Sequence, residues 1–219
     1  MKKKFLTIFC TVMLACGAAA CGGGAKEDAS VDHSGHDHAQ EERVETETAV
    51  SDYDPKEGAS SQALEMLDYL EALPEEIPQE NAEAEGFFTI ADGKVTSGQA
   101  VWDSFMAAVE KGEEASVVVC QYSMNGGAVL DYILHRADGI YEVVSDTTRD
   151  GYERENGIYQ RVQEFEALKV FEDFSLQEGG SSYTICVLSN EADLDADTFR
   201  TYWKEMSTEA HQTYLLFVI

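Results

Sequence analysis

The chain has 219 residues, of which 15 are basic and 42 are acidic, so its formal net charge at pH 7 is −27. A polyanion of this kind repels nucleic acids and anionic lipid headgroups, which excludes nucleic acid as a partner. The acid is concentrated early: residues 22–86 carry 19 acidic and three basic side chains. That segment has few aromatic or β-branched residues and cannot offset its chain entropy by burial, so we predict a disordered acidic tether over residues 21–58.

The amino-terminal residues predict a secretory leader. Lys2, Lys3 and Lys4 precede an apolar run, and small residues follow it up to Cys21. The apolar run has roughly ten residues, the length of a signal-peptide core, whereas a helix that crosses a bilayer needs about 20. Residues 1–20 are therefore interpreted as a signal peptide.

The end of this leader suggests a lipid attachment site. Ala18, Ala19 and Ala20 precede Cys21, and three glycines follow it. The stretch resembles the lipobox of bacterial lipoproteins, although the family more often has Leu or Val at the position of Ala18. Cys16 is a competing site, which would leave a shorter apolar region. The resemblance implies a diacylglycerol thioether at Cys21, with the mature chain held on the extracytoplasmic face of the cell membrane.

A histidine tract lies in the predicted tether. His33, His36 and His38 are flanked by Asp32 and Asp37. Neutral imidazole is the commonest side-chain ligand of zinc and copper, and short His-rich tracts are typical of metal binding. Because several flexible residues must be ordered around the ion, we expect weak binding of zinc or copper. The alternative is a hydrophilic spacer, and no cofactor is required by either interpretation.

A short amphipathic helix is predicted between the tether and the domain, within residues 59–85. Ser60 or Ser61 can cap its amino terminus, and Pro74 stops it. Its apolar residues recur at helical spacing: Leu64, Leu67 and Leu70. Such a helix is marginal alone, so we expect it to dock on the folded domain, with docking on a partner as the alternative.

Residues 86–219 predict an α+β domain. Helices are expected at 96–112, capped by Ser97, and around 199–206. Apolar runs predict strands at 86–90, 115–123, 128–136, 140–146, 158–165, 168–176, 181–189 and 213–219. Short glycine-containing turns join consecutive strands, which indicates an antiparallel meander with one or two helices packed on one face.

A family likeness covers residues 95–189. A helix ends at 110–112 in Glu-Lys-Gly, a strand containing Tyr122 follows, and Arg149 and Asp150 close the third strand. This order of features resembles the uncharacterised extracytoplasmic domain of Gram-positive lipoproteins. The resemblance implies secretion and this fold class, and it carries no established activity.

Two cysteines lie in predicted strands, and each is a candidate for a disulfide or, for Cys120, for a catalytic nucleophile. Cys120 and Cys186 can form a disulfide only if their strands are neighbours in register, and otherwise they are buried free thiols. Cys120 with His135 or His211 as base is the arrangement that an envelope hydrolase would need. The chain has no hydrolase, metalloprotease or phosphate-loop motif, and His135 is expected at the surface, so we expect no enzyme activity.

Arg149 and Tyr122 are the candidate ligand contacts. Arg149 is one of few basic residues in the domain and can hold an anionic ligand, whereas the competing interpretation is an ion pair with Asp146 or Asp150 that closes a turn. Together these features predict a membrane-anchored lipoprotein with a non-catalytic binding domain, whose partner is an envelope protein or a small ligand. Metal capture by the histidine tract and hydrolysis are the alternatives.

Overall fold

The structure is a computed structural model that describes residues 54–123, 127–151, 160–177 and 179–219. The helices within these ranges are α1 (Ser61–Ala72), α2 (Gln79–Ala84), α3 (Gln99–Glu110) and α4 (Ala196–Lys204). The strands are β1 (Phe88–Ala91), β2 (Lys94–Ser97), β3 (Ala115–Tyr122), β4 (Ala128–His135), β5 (Tyr141–Asp146), β6 (Gln160–Phe165), β7 (Ala167–Phe174), β8 (Tyr183–Ser189) and β9 (Thr213–Val218). The predicted leader and most of the predicted tether lie outside the described residues.

The strands form two sheets. Sheet A has the order β2-β1-β3-β4-β5-β6, and sheet B has the order β7-β8-β9. The predicted α+β class is confirmed, and β3 to β6 form an antiparallel meander. Two features differ from a single antiparallel sheet: β1 pairs in parallel with β3, and the chain leaves sheet A at Phe165 and enters sheet B at Ala167.

Both faces of sheet A are covered, whereas the sequence predicted helices on one face. Helix α1 packs on one face, against Cys120, Leu130 and Val144. Helix α3 and sheet B cover the other face, where Val119 and Ile133 lie. Because successive strand residues point to opposite sides, the near-continuous apolar runs of β3 and β4 supply two buried faces. Helix α4 covers the far side of sheet B through a third cluster that contains Phe199.

Helix α1 docks on its own domain, as expected. The Ser60 hydroxyl accepts a hydrogen bond from the Ala63 amide over 3.0 Å and caps the helix, so Ser60 rather than Ser61 is the N-cap. The helix ends at Ala72, two residues before Pro74. Its buried face consists of Ala63, Met66, Leu67 and Leu70.

Helix α3 begins differently from the prediction. Gly98, not Ser97, occupies the N-cap, with φ of 73°, and no side chain caps the helix. A Cβ atom at Gly98 would lie 2.1 Å from the Phe87 carbonyl oxygen, so the backbones approach too closely for any side chain. The buried Ser97 hydroxyl has no hydrogen-bond partner among the described residues.

Candidate functional site at the carboxyl end of helix α1

Arg149 joins the turn after β5 to the end of helix α1. Its side chain is 5 % exposed, and Nη1 donates to Asp146 Oδ2 over 2.8 Å. Nη2 donates to the carbonyls of Leu70 and Leu73 over 2.8 and 3.0 Å, and Nε donates to that of Pro74 over 2.8 Å. These carbonyls belong to the last turn of α1 and the residues after it, where a helix lacks internal donors. The predicted ion pair with Asp146 therefore exists, but it is buried rather than on the surface.

The turn that carries Arg149 is itself fixed. Asp146 Oδ1 accepts hydrogen bonds from the Thr148 amide over 2.8 Å and from the Thr148 hydroxyl over 2.6 Å. Gly127 packs against the same turn, since a Cβ atom there would lie 2.7 Å from both the Arg149 carbonyl oxygen and Asp150 Cα. The guanidinium is consequently held in place before any ligand is present.

The amino end of α1 contacts a buried acidic side chain, whereas its carboxyl end contacts Arg149. Glu142 on β5 is 1 % exposed, and its Oε1 accepts a hydrogen bond from the Ser60 hydroxyl over 2.6 Å. Its Oε2 has no partner among the described residues. The Glu142 carboxyl group thus lies at the positive end of the helix dipole, while Arg149 lies at the negative end. Strand β5 and the turn after it contact α1 at both termini.

Tyr122, the second candidate ligand contact, also contacts the segment that follows α1. Its hydroxyl donates to the Ile77 carbonyl over 2.8 Å, and burial raises the pKa of the phenol. The structure therefore brings Tyr122 and Arg149 to one stretch of chain, residues 70–77. Their polar contacts with that stretch go to main-chain carbonyls, so these contacts do not depend on which side chains it carries.

A cleft of about 440 Å³ opens beside Arg149. Its charged lining residues are three acids, Glu71, Glu75 and Asp146, and one base, Arg149, so the cleft carries a net negative charge. A second recess of about 290 Å³, lined in part by Pro74 and Ile77, lies along the same segment. Because each nitrogen of Arg149 already donates to an internal acceptor, the cleft suits a cationic or neutral hydrogen-bonding group better than an anion.

The two cysteines are not joined. Both Cys120 and Cys186 are buried free thiols. Cys120 lies in the cluster beneath α1, and Cys186 lies in the cluster between the two sheets. Burial raises the pKa of the Cys120 thiol to about 11 and raises that of Cys186 as well. The disulfide alternative is absent from this structure, and Cys120 is a poor nucleophile at neutral pH.

His135 is buried, so the prediction of a surface position was wrong. It is 5 % exposed, its Nδ1 donates to the Glu113 carbonyl over 2.8 Å, and its ring packs 4.9 Å from that of Tyr141. Strand β4 has no solvent face, because α1 covers one side and α3 with sheet B the other. His135 and Cys120 point to opposite faces of sheet A, so the dyad considered for hydrolysis is not assembled.

His211 belongs to a half-exposed cluster near α4. Its Nδ1 lies 3.1 Å from Glu191 Oε1, and its ring stacks on Tyr202 with centroids 3.7 Å apart. The Tyr202 hydroxyl donates to Glu191 Oε2 over 2.9 Å, and this hydrogen bond raises the pKa of Tyr202. Sequence reasoning named His211 but missed both partners, because they lie nine and 20 residues away without a recognisable motif.

A buried polar group that the sequence analysis missed lies on the other face of sheet A. Asp131 is fully buried, and its Oδ1 accepts hydrogen bonds from the Ser145 hydroxyl over 2.5 Å and the Tyr214 hydroxyl over 2.9 Å. Burial raises the pKa of Asp131 to about 6. The available signal was an acidic residue between Leu130 and Tyr132 in an otherwise apolar strand.

The remaining predicted sites fall outside the described residues. Cys21, Cys16 and the histidine tract at 32–38 all belong to the part of the chain before residue 54. Within the described ranges, no group of three or more His, Cys, Asp or Glu side chains is placed to hold a metal ion. None of the described helices is both long enough and apolar enough to cross a membrane.

Comparisons of the chain with protein-family models, with curated proteins and with solved structures found no match. The likeness to the extracytoplasmic lipoprotein domain therefore stays a prediction from the sequence.

Proposed function

We propose that this chain is a membrane-anchored extracytoplasmic lipoprotein whose domain is a non-catalytic binding module. The observation that carries the proposal is Cys21, placed directly after a basic, apolar and then small-residue leader. Two or more acyl chains at one cysteine give stable anchoring, whereas a single chain gives only marginal attachment. The 32 residues between Cys21 and Asp54 would span roughly 30 Å if flexible, enough to hold the domain off the bilayer surface.

The cleft beside Arg149 is the binding surface that we propose. It sits on a frame fixed by the Asp146 turn and by helix α1, and its rim carries Glu71 and Glu75. Acidic groups around a recess favour partners with complementary positive charge and speed their encounter. We therefore propose a basic surface of an envelope protein, or a small cationic ligand, as the occupant.

The anchoring proposal is tested by labelling cells that express the full chain with a traceable fatty acid. We expect the wild-type protein to carry label and to fractionate with membranes. Cys21→Ala should lose both properties, and the matched control Cys16→Ala should keep both. Membrane retention and label in Cys21→Ala, or loss of label in Cys16→Ala alone, would reject Cys21 as the lipidated residue.

The binding proposal is tested by site-specific photocross-linking in the same cells. A photoreactive residue at Glu71, on the cleft, should give a discrete adduct that disappears when Glu75→Lys reverses the charge of a second acid on the cleft. The same residue at Lys94, exposed on the β2 edge, should give no adduct of that size. Equal adducts at both positions would show that the cleft is not the preferred surface.

A second candidate function, divalent-metal capture, rests on three histidines within six positions. His33, His36 and His38 can reach one ion from a flexible chain, with Asp32 or Asp37 as a further ligand. Calorimetry of the mature chain with Zn²⁺ and Cu²⁺ should show binding that is lost when the three histidines are replaced by alanine. Absence of heat at about 100 µM concentrations, where binding of about −5.5 kcal/mol is detected, would remove this function.

A further inference from the structure

Sheet A and strand β9 meet at a small polar interface, which we call the seam. It consists of Gln121, Asp131 and Ser145 on sheet A and of Tyr214 and Leu216 on β9. Gln121 Nε2 donates to the Leu216 carbonyl over 2.7 Å, and the Tyr214 hydroxyl donates to Asp131 Oδ1 over 2.9 Å. Leu216 is the extra residue of a β-bulge and has no partner in the β8 register, so Gln121 satisfies its carbonyl. The seam thus links the last strand of the chain to the centre of sheet A.

The two oxygens of Asp131 have different surroundings. Oδ1 accepts two hydrogen bonds, from Ser145 and Tyr214, whereas Oδ2 has no partner among the described residues. Within those residues no Lys, Arg or His forms an ion pair with this carboxylate. An ionised carboxylate that is buried without a counter-ion is costly, and a proton on Oδ2 removes the charge without disturbing the bonds to Oδ1.

The groups that face Asp131 come from three strands. Tyr214 on β9 is titratable, Ser145 on β5 and Gln121 on β3 are neutral, and the Cys120 thiol of β3 interacts with it across the sheet. Burial raises the pKa of Asp131, and the nearby polar side chains of Ser145, Tyr214 and Gln121 lower it by less. Geometry and electrostatics both favour the neutral acid in the closed seam.

We propose that the seam is a proton-operated latch, in which neutral Asp131 keeps β9 closed on sheet A and ionised Asp131 favours an open seam. Strand β4 is central in sheet A, so water reaches this carboxylate only when a covering layer moves. Strand β9 is the covering element that bonds to it directly, and among the described strands β9 is an edge strand that pairs only with β8. When the seam opens, water contacts the Asp131 carboxylate; when it closes, that water is excluded. Opening of β9 is therefore coupled to loss of one proton.

Hydrogen exchange of the full mature chain tests the latch. We compare protection factors of β9 amides with those of β4 amides at pH 5 and pH 8, so that the intrinsic pH dependence of exchange cancels. For a group that titrates near pH 4 when hydrated and near pH 6 when closed, linkage predicts that the β9 to β4 ratio falls about 10-fold between the two pH values. Asp131→Asn should abolish this fall.

Glu142→Gln is the matched control, because Glu142 is also a buried carboxylate with one unpartnered oxygen, on the opposite face of sheet A. This variant should keep the 10-fold fall in β9 protection. A ratio that does not change with pH in the wild-type chain, or an equal fall in Asp131→Asn, overturns the latch.

A titration of the wild-type chain by carboxyl ¹³C NMR tests the protonation of Asp131 directly, even if Asp131→Asn fails to fold. We expect the Asp131 carboxyl to titrate with a midpoint near 6, and Tyr214→Phe to move the midpoint upwards because it removes a donor to the ionised form. A wild-type midpoint below 5, or no upward shift in Tyr214→Phe, contradicts the proposal.

Discussion

Asp146 and Asp131 are both fully buried in sheet A, on opposite faces, and the two faces treat them differently. On the α1 face, Asp146 has an Arg149 guanidinium at 2.8 Å and two hydrogen bonds from Thr148. On the face toward sheet B, Asp131 has two hydroxyl donors and no cation among the described residues. A buried charge is stable when it is paired, whereas an unpaired buried acid tends to hold its proton.

The two faces of sheet A are therefore joined to their covering layers, helix α1 and sheet B, by different kinds of contact. The α1 face holds the helix through the Glu142 carboxyl group at one terminus and the Arg149 guanidinium at the other. The sheet B face uses an acid that is most compatible with burial when neutral. We therefore expect a rise in pH to weaken the seam.

Removing Arg149 should have the largest effect on stability. Arg149→Ala leaves the Asp146 carboxylate buried without its cation and removes the guanidinium hydrogen bonds to the carbonyls of Leu70, Leu73 and Pro74. Breaking a buried pair in this way costs about 3–5 kcal/mol, measured as the free energy of unfolding in urea. Arg149→Lys should lose less, because it keeps the charge but not the planar set of donors.

Arg136→Ala is the control for this prediction. Arg136 also pairs with two carboxylates, Asp138 and Glu164, each at 2.6 Å, but both acids are more than half exposed. Solvent-exposed pairs of this kind contribute about 0–1 kcal/mol. Equal losses for Arg149→Ala and Arg136→Ala would show that burial does not distinguish the two arginines.

The amino end of α1 should be the next most sensitive point. Ser60→Ala removes the helix cap and also the hydroxyl that donates to Glu142. A lost cap costs about 0.5–2 kcal/mol and a lost buried hydrogen bond about 1 kcal/mol more, so we expect about 2–3 kcal/mol in urea unfolding. Ser61→Ala, at an exposed position of the first turn, should change stability by less than about 0.5 kcal/mol. Similar losses in both variants would reject Ser60 as the anchoring residue.

The sequence was informative where local chemistry decides the outcome. Ser60 before an apolar periodicity and Pro74 after it located α1, and alternating apolar runs with glycine turns located the meander of β3 to β6. The cap of α3 was missed because Gly98 is required by a close approach to the Phe87 backbone, on the other side of the β1–β2 hairpin in the sequence.

Candidate sites were harder to predict for the same reason. Arg149 was identified as an ion-pair partner of Asp146, a contact three residues away, but its contacts with Leu70 and Leu73 span more than 70 residues. His135 was assigned to the surface because a single strand does not show that both of its faces are covered. Asp131 was overlooked, although an acid within an apolar run is the local signal of a buried polar group.

The pH dependence of stability sharpens the comparison between the two faces. A carboxyl whose pKa is about 6 in the folded chain and about 4 when unfolded favours the fold while it is protonated. Its favourable contribution is complete below pH 4 and is lost as the pH rises through 6. The difference in unfolding free energy between wild type and Asp131→Asn should therefore shift by about 2 kcal/mol in favour of the variant between pH 4 and pH 8. A constant difference across this range would mean that Asp131 is ionised throughout.

The smallest expected effect concerns Tyr122, which fixes the segment after α1 by one hydrogen bond. Tyr122→Phe keeps the ring and removes the hydroxyl that donates to the Ile77 carbonyl, so the free energy of unfolding should fall by about 1 kcal/mol.

Tyr132→Phe is the matched control on the same face, because the Tyr132 ring contacts Tyr69 while its hydroxyl makes no hydrogen bond to the described residues. Urea unfolding should separate the two variants. If both lose the same amount, the contact with Ile77 does not stabilise the segment. If only Tyr122→Phe loses stability and the amides of residues 73–78 exchange faster, the face that holds α1 also holds the chain beyond it by main-chain contacts.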